Sequence, residues 1–304
     1  MKVIIVGGVA GGASCAARLR RLDETAEVLM VERGPYVSYA NCGLPYHVGG
    51  VITRESSLLV ADERTFRTQF AIDVRTRCEA IAIDRAQKSL KLRNVATGEV
   101  TTEAYDKLVL SPGATPITPP LPGIDLPGVF RVRTVPDVKA IREWIEGHTA
   151  LTSGLDAYTG FQTVLPAQRA VVVGGGFIGL EMAENLTHLG LQVMLLQRDS
   201  QLLSPMDPEM ALYVERHVTR NGVQLVLSAD VTGFGRRRMA RWRCSPPTAR
   251  HIRPTWWSWA SACDLRPGWR RTLGWRSAHA AGFASTIRCA PVTRTSSPWA
   301  MPWR

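Results

Sequence analysis

The segment KVIIVGGVAGGASCAARLRRL, residues 2–22, decides the fold. Its first five residues, Lys2–Val6, are rich in β-branched side chains and predict a strand. Residues 7–12 form a glycine-rich turn, and residues 13–22 are good helix formers that lead to a second predicted strand at 28–31. This order of elements is that of a dinucleotide-binding unit, in which backbone amides at the start of the helix face a pyrophosphate.

The same order of elements occurs again near the middle of the chain. We predict a strand at 170–173, a glycine turn at 174–179, a helix at 180–189 and a further strand at 193–196. One glycine turn is a weak signal, but two complete units in one chain are specific. The sequence therefore predicts an α/β fold with two Rossmann-like dinucleotide-binding domains.

The segment between the two units carries weaker patterns. Residues 74–92 and 108–110 have the patterns of strands, whereas residues 112–123 are rich in Pro and Gly and are interpreted as the exit from the first domain. Residues 147–168 are small and polar, and they are predicted to form a surface loop or linker.

In the first turn, Gly7 permits the sharp bend and Gly12 allows the helix to pack closely on the strand. Val9 replaces the middle glycine of the general pattern. Glu32 lies at the end of the second strand, 20 residues beyond Gly12, where a carboxylate can accept hydrogen bonds from both ribose hydroxyls. The first unit therefore predicts an adenosine-type cofactor.

The second turn contains all three glycines of the pattern, Gly174, Gly176 and Gly179. The acidic residue is missing here, because Gln197 stands at the corresponding strand end. A neutral amide does not repel a 2′-phosphate, and Arg198 can pair with one. This unit favours NADPH over NADH.

Cys42 lies in the string SYANCGLPY, residues 38–46. The Gly-Leu-Pro that follows it suits the start of a helix, where a thiol feels the positive end of the helix dipole and stays a thiolate near neutral pH. Cys15 and Cys78 are interpreted as small buried hydrophobic residues, and no cysteine before residue 236 has a two-cysteine redox or zinc spacing. This local pattern leaves both a catalytic and a structural role open for Cys42.

The net charge of +11 comes entirely from the C-terminal part of the chain. Residues 236–304 contain 14 Arg, one acidic residue and eight of the nine Trp, so their net charge is +13 and that of residues 1–235 is −2. Hydrophobic periodicity also ends near residue 231. One interpretation is a basic, aromatic surface for nucleic acid; the other is a shifted reading frame.

Codon identities favour the shifted frame, because Trp and Met have one codon each. The two codons of Trp256 and Trp257 must encode Val when they are translated from the third base of the first codon. With GC-rich codons, residues 246–267 can be read as ADGTAHPADLVVLGIGVRPETG, and residues 288–302 as MRTSDPDIFAVGDA. The second string is a flavin-binding signature. We therefore expect the last 70 or so residues to be non-native or disordered in this fold, and we expect no nucleic-acid partner.

The amino terminus lacks the basic start and the long apolar stretch of a secretory signal. No segment reaches the ~18 consecutive apolar residues of a membrane span. We therefore predict a cytoplasmic location without a membrane partner.

Four strings together resemble the coenzyme A disulfide reductase branch of the pyridine nucleotide disulfide oxidoreductases. They are VIIVGGVAGGASCAARLRRLD near the start, SYANCGLPYHVGG around Cys42, YDKLVLSPGATP at 105–116 and VVVGGGFIGLEMAENL at 171–186. The two-cysteine motif of the glutathione reductase type is absent. The resemblance implies an FAD-binding domain at 1–120, a linker and insertion at 121–168 and an NAD(P)-binding domain at 169–235, followed by the shifted tail at 236–304.

The resemblance also implies roles for individual residues. Cys42 would be the redox cysteine. The residues implied to bind FAD are Gly7, Gly8, Val9, Ala10, Gly11, Gly12, Glu32, Arg33, Ser111, Gly113 and Ala114. Those implied to bind NAD(P)H are Gly174, Gly176, Phe177, Ile178, Gly179 and Arg198. Those implied to contact coenzyme A are Ser14, Arg18, Arg21, Ser38 and Asn41. The resemblance implies no metal site.

The implied reaction is reduction of coenzyme A disulfide, or of a coenzyme A persulfide or polysulfide, by NAD(P)H through FAD and a mixed disulfide at Cys42. The nearest alternative is an NADH oxidase or peroxidase that uses a sulfenic acid at the same cysteine. The family's later flavin motif occurs only in the shifted frame, and its C-terminal dimerisation domain, which supplies active-site tyrosines, is absent from this sequence. The parent enzyme is expected to be a homodimer, and an inactive remnant is a third interpretation.

Overall fold

The structure is a computed structural model, and it describes residues 1–150, 169–237, 241–244, 256–259 and 263–265. The helices are α1 Ala10–Leu22, α2 Leu44–Val48, α3 Glu63–Phe70, α4 Val135–Ala150, α5 Phe177–His188 and α6 Pro208–Arg220. The strands up to α4 are β1 Lys2–Val6, β2 Glu27–Val31, β3 Asp73–Arg75, β4 Cys78–Asp84, β5 Ser89–Asn94, β6 Val100–Ala104, β7 Lys107–Leu110, β8 Ala114–Pro116 and β9 Val129–Arg131. The later strands are β10 Arg169–Val173, β11 Gln192–Leu196, β12 Gln224–Val226, β13 Phe234–Arg237, β14 Arg241–Cys244, β15 Trp256–Trp259 and β16 Cys263–Leu265.

The first unit is a parallel sheet in the order β3-β2-β1-β7. Alternate residues of β1 enter opposite layers, as the two-residue period of a strand requires. Val3 and Ile5 pack with α1 and α3. Ile4 and Val6 pack on the antiparallel sheet β4-β5-β6. Both faces are thus covered, which explains the nearly continuous apolar run of β1.

The second unit is a parallel sheet in the order β12-β11-β10-β15-β9. Ala170 and Val172 of β10 are buried in one cluster that includes side chains of α2, α4 and α5. Val171 faces the other way and packs near Phe234. Two βαβ units are therefore present, as predicted, and the α/β fold class is confirmed.

The main corrections concern element boundaries. Helix α1 begins at Ala10 and helix α5 at Phe177, three residues earlier than predicted in each case. The helices absorb the last part of each glycine turn, because close packing of the turn on the helix outweighs the low helix propensity of glycine.

The segment predicted to be a linker and insertion, residues 121–168, contains regular structure. Strand β9 belongs to the second sheet, and α4 runs through residues 147–150, which were predicted to be loop. The apolar face of α4, which includes Val138 and Ile141, is buried in the second core. Residues 151–168 lie outside the described part of the chain.

Part of the tail that was expected to be non-native contributes strands. Strand β15 lies between β10 and β9, and β16 pairs with β8. The flavin-like reading at 288–302 falls outside the described residues. Among the described residues, no helix is both long and apolar enough to cross a bilayer.

Candidate active site

The first turn brings three backbone segments within van der Waals distance. Gly7 has φ +96°, and a Cβ atom there would lie 1.9 Å from the carbonyl oxygen of Ser111. A Cβ atom on Gly12 would lie 1.7 Å from the carbonyl oxygen of Gly7. Only glycine fits either position, so the turn stays narrow and the first amides of α1 stay open for an anion.

Glu32 directly follows β2 beside this turn and is half-buried. Its carboxylate accepts hydrogen bonds from the amides of Gly8 at 2.9 Å and Gly34 at 2.7 Å. Each carboxylate oxygen retains a free lone pair for a ribose hydroxyl. The neighbouring Arg33 lies 3.6 Å from the carboxylate of Glu79, so its guanidinium is engaged in an exposed ion pair.

The segment after β7 closes the other side of the first turn. Ser111 donates its amide to the carbonyl of Val6 at 2.7 Å, and its hydroxyl lies 2.8 Å from the position of a Cβ atom on Gly11. Gly113 has φ +67°. Of the three predicted residues of this segment, Ser111 therefore lies beside the glycine turn.

The second turn repeats the geometry of the first. A Cβ atom on Gly179 would lie 1.9 Å from the carbonyl oxygen of Gly174. A Cβ atom on Gly176 would meet nothing within 4 Å, and Phe177 at the start of α5 is 62% exposed. Ile178 is half-buried against the core. The open helix start fits the pyrophosphate of a dinucleotide.

Cys42 is exposed in a single 3₁₀ turn, Asn41–Gly43, that leads directly into α2. Pro45 occupies the first turn of α2, as predicted. Ser38, at the start of the loop, donates its amide to the carbonyl of Gly8 at 2.8 Å. The cysteine is therefore attached to the first turn at one end of its loop.

The other end of the loop is attached to the second unit. Leu44 and Val48 of α2 are buried in the core that α4 and α5 share. A Cβ atom on Gly49 would lie 2.1 Å from the side-chain oxygen of Asn185 on α5. Helix α2 therefore places Cys42 between the two nucleotide units.

Tyr46 and Glu181 join this region, and the sequence did not single out either. Burial raises the pKa of Tyr46, and the charges of Glu181, Glu184 and Cys42 raise it further. Burial also raises the pKa of Glu181, with a smaller contribution from the charge of Glu184. These interactions place Tyr46 near Cys42 and near the acidic residues of α5, and they favour the protonated form of its phenol.

Arg133 is a third residue that the sequence missed. Its Nε donates to the carbonyl of Ala114 at 3.0 Å, and one terminal nitrogen lies 3.5 Å from the side-chain oxygen of Asn41. It therefore links the residue beside Cys42 to the segment after β7. A lone arginine in a segment interpreted as a linker carries no sequence signal for such a role.

The remaining candidates are spread along α1. Ser14, Arg18 and Arg21 are all exposed, at a spacing that places them along one side of the helix. Cys15 and Cys78 are half-buried, and burial raises the pKa of the Cys78 thiol. Within the described ranges, no group of three His, Cys, Asp or Glu side chains could hold a metal ion.

A family model described as pyridine nucleotide-disulphide oxidoreductase matches residues 1–240. A coenzyme A disulfide reductase of Staphylococcus haemolyticus is 36% identical over 209 residues, which is 69% of this chain and 43% of the relative. The solved structure of reduced Bacillus anthracis CoADR-RHD is 39% identical, with a TM-score of 0.80 over 90% of this chain and 46% of that one. A NAD-dependent persulfide reductase from A. fulgidus is 32% identical, with a TM-score of 0.79 over 90% of this chain and 48% of that one.

The chain spans about half the length of these relatives, as the shares of 43%, 46% and 48% show. The matched half contains both glycine turns and the loop that carries Cys42.

Proposed function

The chain belongs to the pyridine nucleotide-disulphide oxidoreductase family, and from this premise we propose that it reduces a coenzyme A disulfide with NAD(P)H, through FAD and Cys42. The observation that best supports this proposal is the position of Cys42. It is exposed on a loop whose backbone bonds to the first glycine turn and whose following helix packs on the helix of the second turn. A cysteine that receives electrons from a flavin held at the first turn, with the nicotinamide dinucleotide held at the second, would need this placement.

The residues of the first unit fit the adenosine half of FAD. The turn at Gly7 and Gly12 leaves room for a pyrophosphate only because neither residue has a side chain. Glu32 has lone pairs available for the ribose. Bound FAD would supply the relay that carries two electrons from the nicotinamide to the sulfur.

The residues of the second unit fit NAD(P)H. The start of α5 is open at Gly176, and Phe177 and Ile178 follow at the mouth of the turn. Gln197 replaces the acid, and Arg198 is exposed. These features favour NADPH over NADH.

Cys42 performs the sulfur chemistry. Its thiolate attacks one sulfur of the coenzyme A disulfide, so that a Cys42–coenzyme A disulfide forms and the first coenzyme A leaves as a thiolate that takes up a proton. The two electrons of NAD(P)H then cleave the mixed disulfide. The second coenzyme A leaves as a thiol, and the Cys42 thiolate is regenerated. One protein cysteine suffices because the substrate supplies the partner sulfur.

The proposed substrate contacts are polar or basic. Arg18 and Arg21 are exposed on α1 and would attract the phosphates of coenzyme A. Asn41 and Ser38 lie on the loop of Cys42 itself. Ser14 shares the exposed side of α1.

The kinetic test follows NADPH oxidation in the full chain reconstituted with FAD. We expect oxidation that requires coenzyme A disulfide, yields two thiols per NADPH and disappears in Cys42→Ser. The matched control, Cys15→Ser, should retain activity because that side chain packs against the core on α1. NADPH consumption with oxygen or peroxide and none with coenzyme A disulfide would instead assign the oxidase or peroxidase reaction.

Coenzyme A persulfide is a second candidate, favoured by the likeness to a solved persulfide reductase. Attack by Cys42 on the inner sulfur would form the same mixed disulfide and release hydrosulfide. Sulfide release in step with NADPH oxidation would distinguish this substrate from the disulfide.

A further inference from the structure

The two nucleotide turns repeat each other in their backbone hydrogen bonds. The amide of Gly7 donates to the carbonyl of Val31, and the amide of Gly174 donates to the carbonyl of Leu196, both at 2.8 Å. The residue that follows each second strand is therefore in an equivalent place. These residues are Glu32 and Gln197.

The side chains at these two places also make equivalent bonds. Glu32 accepts from the amide of Gly8 at 2.9 Å, and Gln197 accepts from the amide of Gly175 at 2.8 Å. Gln197 therefore fills the position of the ribose-binding carboxylate of the first unit. Its amide brings no charge to that position.

A carboxylate is nevertheless present two residues further on. Asp199 accepts from the side-chain amide of Gln197 at 3.0 Å and from the hydroxyl of Ser204 at 2.6 Å, both on the same oxygen. Its other oxygen lies 3.7 Å from Nε of Arg198. Asp199 is thus held in place beside the strand end rather than free in solvent.

Arg198 and Asp199 together determine how much positive charge lies at the end of β11. Arg198 is 79% exposed and is the basic residue available there for a 2′-phosphate. Asp199 offsets its charge and adds a negative field next to any phosphate that Arg198 binds. Gln197 and Arg198 favour the phosphorylated cofactor, whereas Asp199 opposes it.

We propose that Asp199 is a specificity-determining residue that limits the preference of the second nucleotide site for a 2′-phosphorylated dinucleotide. The inference rests on the proposed binding of NAD(P)H at this turn. Removing the Asp199 charge should release Arg198 for the phosphate, and the nucleotide without that phosphate should be little affected.

The test measures calorimetric binding of two probes to the full chain, adenosine 2′,5′-bisphosphate and 5′-AMP. A unit charge about 4 Å away in water contributes about 1 kcal/mol, and the 2′-phosphate carries more than one charge. We therefore expect Asp199→Asn to bind the bisphosphate about tenfold more tightly, with little change for 5′-AMP. Arg198→Met should weaken the bisphosphate alone. Asp84→Asn, an exposed carboxylate on β4, is the charge-matched control and should leave both affinities unchanged.

Asp199→Ser is measured in parallel with Asp199→Asn. If a lower melting temperature shows that one of these variants folds poorly, the other still tests the inference. If both probes bind the wild type but neither Asp199 variant gains affinity for the bisphosphate over the control, the inference is wrong and the proposed nucleotide site stands. If neither probe binds the wild type, the nucleotide site itself is wrong, and the inference falls with it.

A second inference concerns strand β15, Trp256–Trp259. This strand lies between two parallel neighbours, with Trp256 paired to Ala170 of β10 and Trp257 paired to Val129 of β9. Strands inside a parallel sheet are typically continuous runs of Val, Ile and Leu. The sequence of this chain at these four positions, Trp-Trp-Ser-Trp, departs from that rule.

With GC-rich codons, the shifted frame can be read as Val-Val-Leu-Gly at the same positions, and three of these four residues fit the rule. The first Val and the Gly are forced, because Trp has one codon. We infer that the shifted-frame sequence is the native occupant of this place in the sheet. The backbone pairing places these four residues inside the parallel sheet, and the codon reading supplies residue types there that suit such a strand.

The test replaces these four residues in the full chain with Trp256→Val, Trp257→Val, Ser258→Leu and Trp259→Gly. The control carries the same new residues in reverse order. We expect thermal unfolding, followed by circular dichroism, to rise by about 5 °C over the written chain for the shifted-frame order only. A melting temperature no higher than that of the written chain, or an equal rise in the control, would overturn the inference.

Discussion

Two glycines in one turn, Gly176 and Gly179, should differ in how much stability they lose on substitution by alanine. In Gly179→Ala, the new methyl group would lie 1.9 Å from the carbonyl oxygen of Gly174, at least 1.1 Å short of the closest real contact. Because the obstacle is backbone, we expect a loss of about 3 kcal/mol in the free energy of unfolding. In Gly176→Ala, the methyl group meets nothing within 4 Å, and the backbone is extended at φ −82°. We expect a loss of less than about 1 kcal/mol, from the weaker helix cap.

Nucleotide binding should separate the two variants further. The turn at Gly176 is where the pyrophosphate backbone has to approach, so a methyl group there should weaken NADP⁺ binding while the fold survives. Thermal unfolding should place Gly179→Ala roughly 6–12 °C below wild type and Gly176→Ala within about 4 °C of it. Calorimetric titration with NADP⁺ then measures affinity. Equal melting temperatures for the two variants, or normal NADP⁺ binding by Gly176→Ala, would refute this account of the turn.

Two further substitutions test the ion pairs and the loop. Hydrogen bonds from Lys2 and Arg75 lower the pKa of Glu103 in the folded protein. The ionised carboxylate therefore stabilises the fold at pH values above its ordinary pKa of 4.5. This stabilisation is lost as the pH falls through the lower pKa of the folded state. Glu103→Gln should therefore cost up to about 1 kcal/mol at pH 7 and nothing in strong acid; an equal loss at both pH values in urea unfolding would contradict this. Arg133→Met removes the contact with Asn41 and frees the loop of Cys42, so an aromatic disulfide reagent should label Cys42 several times faster than in wild type. The control Arg131→Met, on the same segment, should leave the labelling rate unchanged, and equal rates in the two variants would contradict this.

The sequence predicted those parts of the fold that depend on local pattern. Strand β1 was predicted at its observed bounds, Lys2–Val6, because a strand covered on both faces is a continuous apolar run. Both glycine turns were found because Gly12 and Gly179 are needed for contacts that no other residue permits. The helix starts were missed by three residues because tertiary packing, and not propensity, fixes them.

The parts that the sequence did not predict depend on contacts between distant segments. Helix α4 and strand β9 lie in a segment of weak local pattern, and their burial against the second sheet stabilises them. Arg133 contacts Asn41, 92 positions away. The interaction of Tyr46 with Glu181 depends on the packing of α2 against α5, which no spacing rule contains.

Trapping the mixed disulfide tests the central claim most directly. The full chain is incubated with coenzyme A disulfide without a reductant, digested at acidic pH and analysed by mass spectrometry. The account predicts one coenzyme A group on the peptide that contains Cys42, none on the peptides of Cys15 or Cys78, and its removal when NADPH and FAD are added. An unmodified Cys42 peptide, or a coenzyme A group that NADPH and FAD do not remove, would contradict the claim that Cys42 carries electrons to a coenzyme A disulfide.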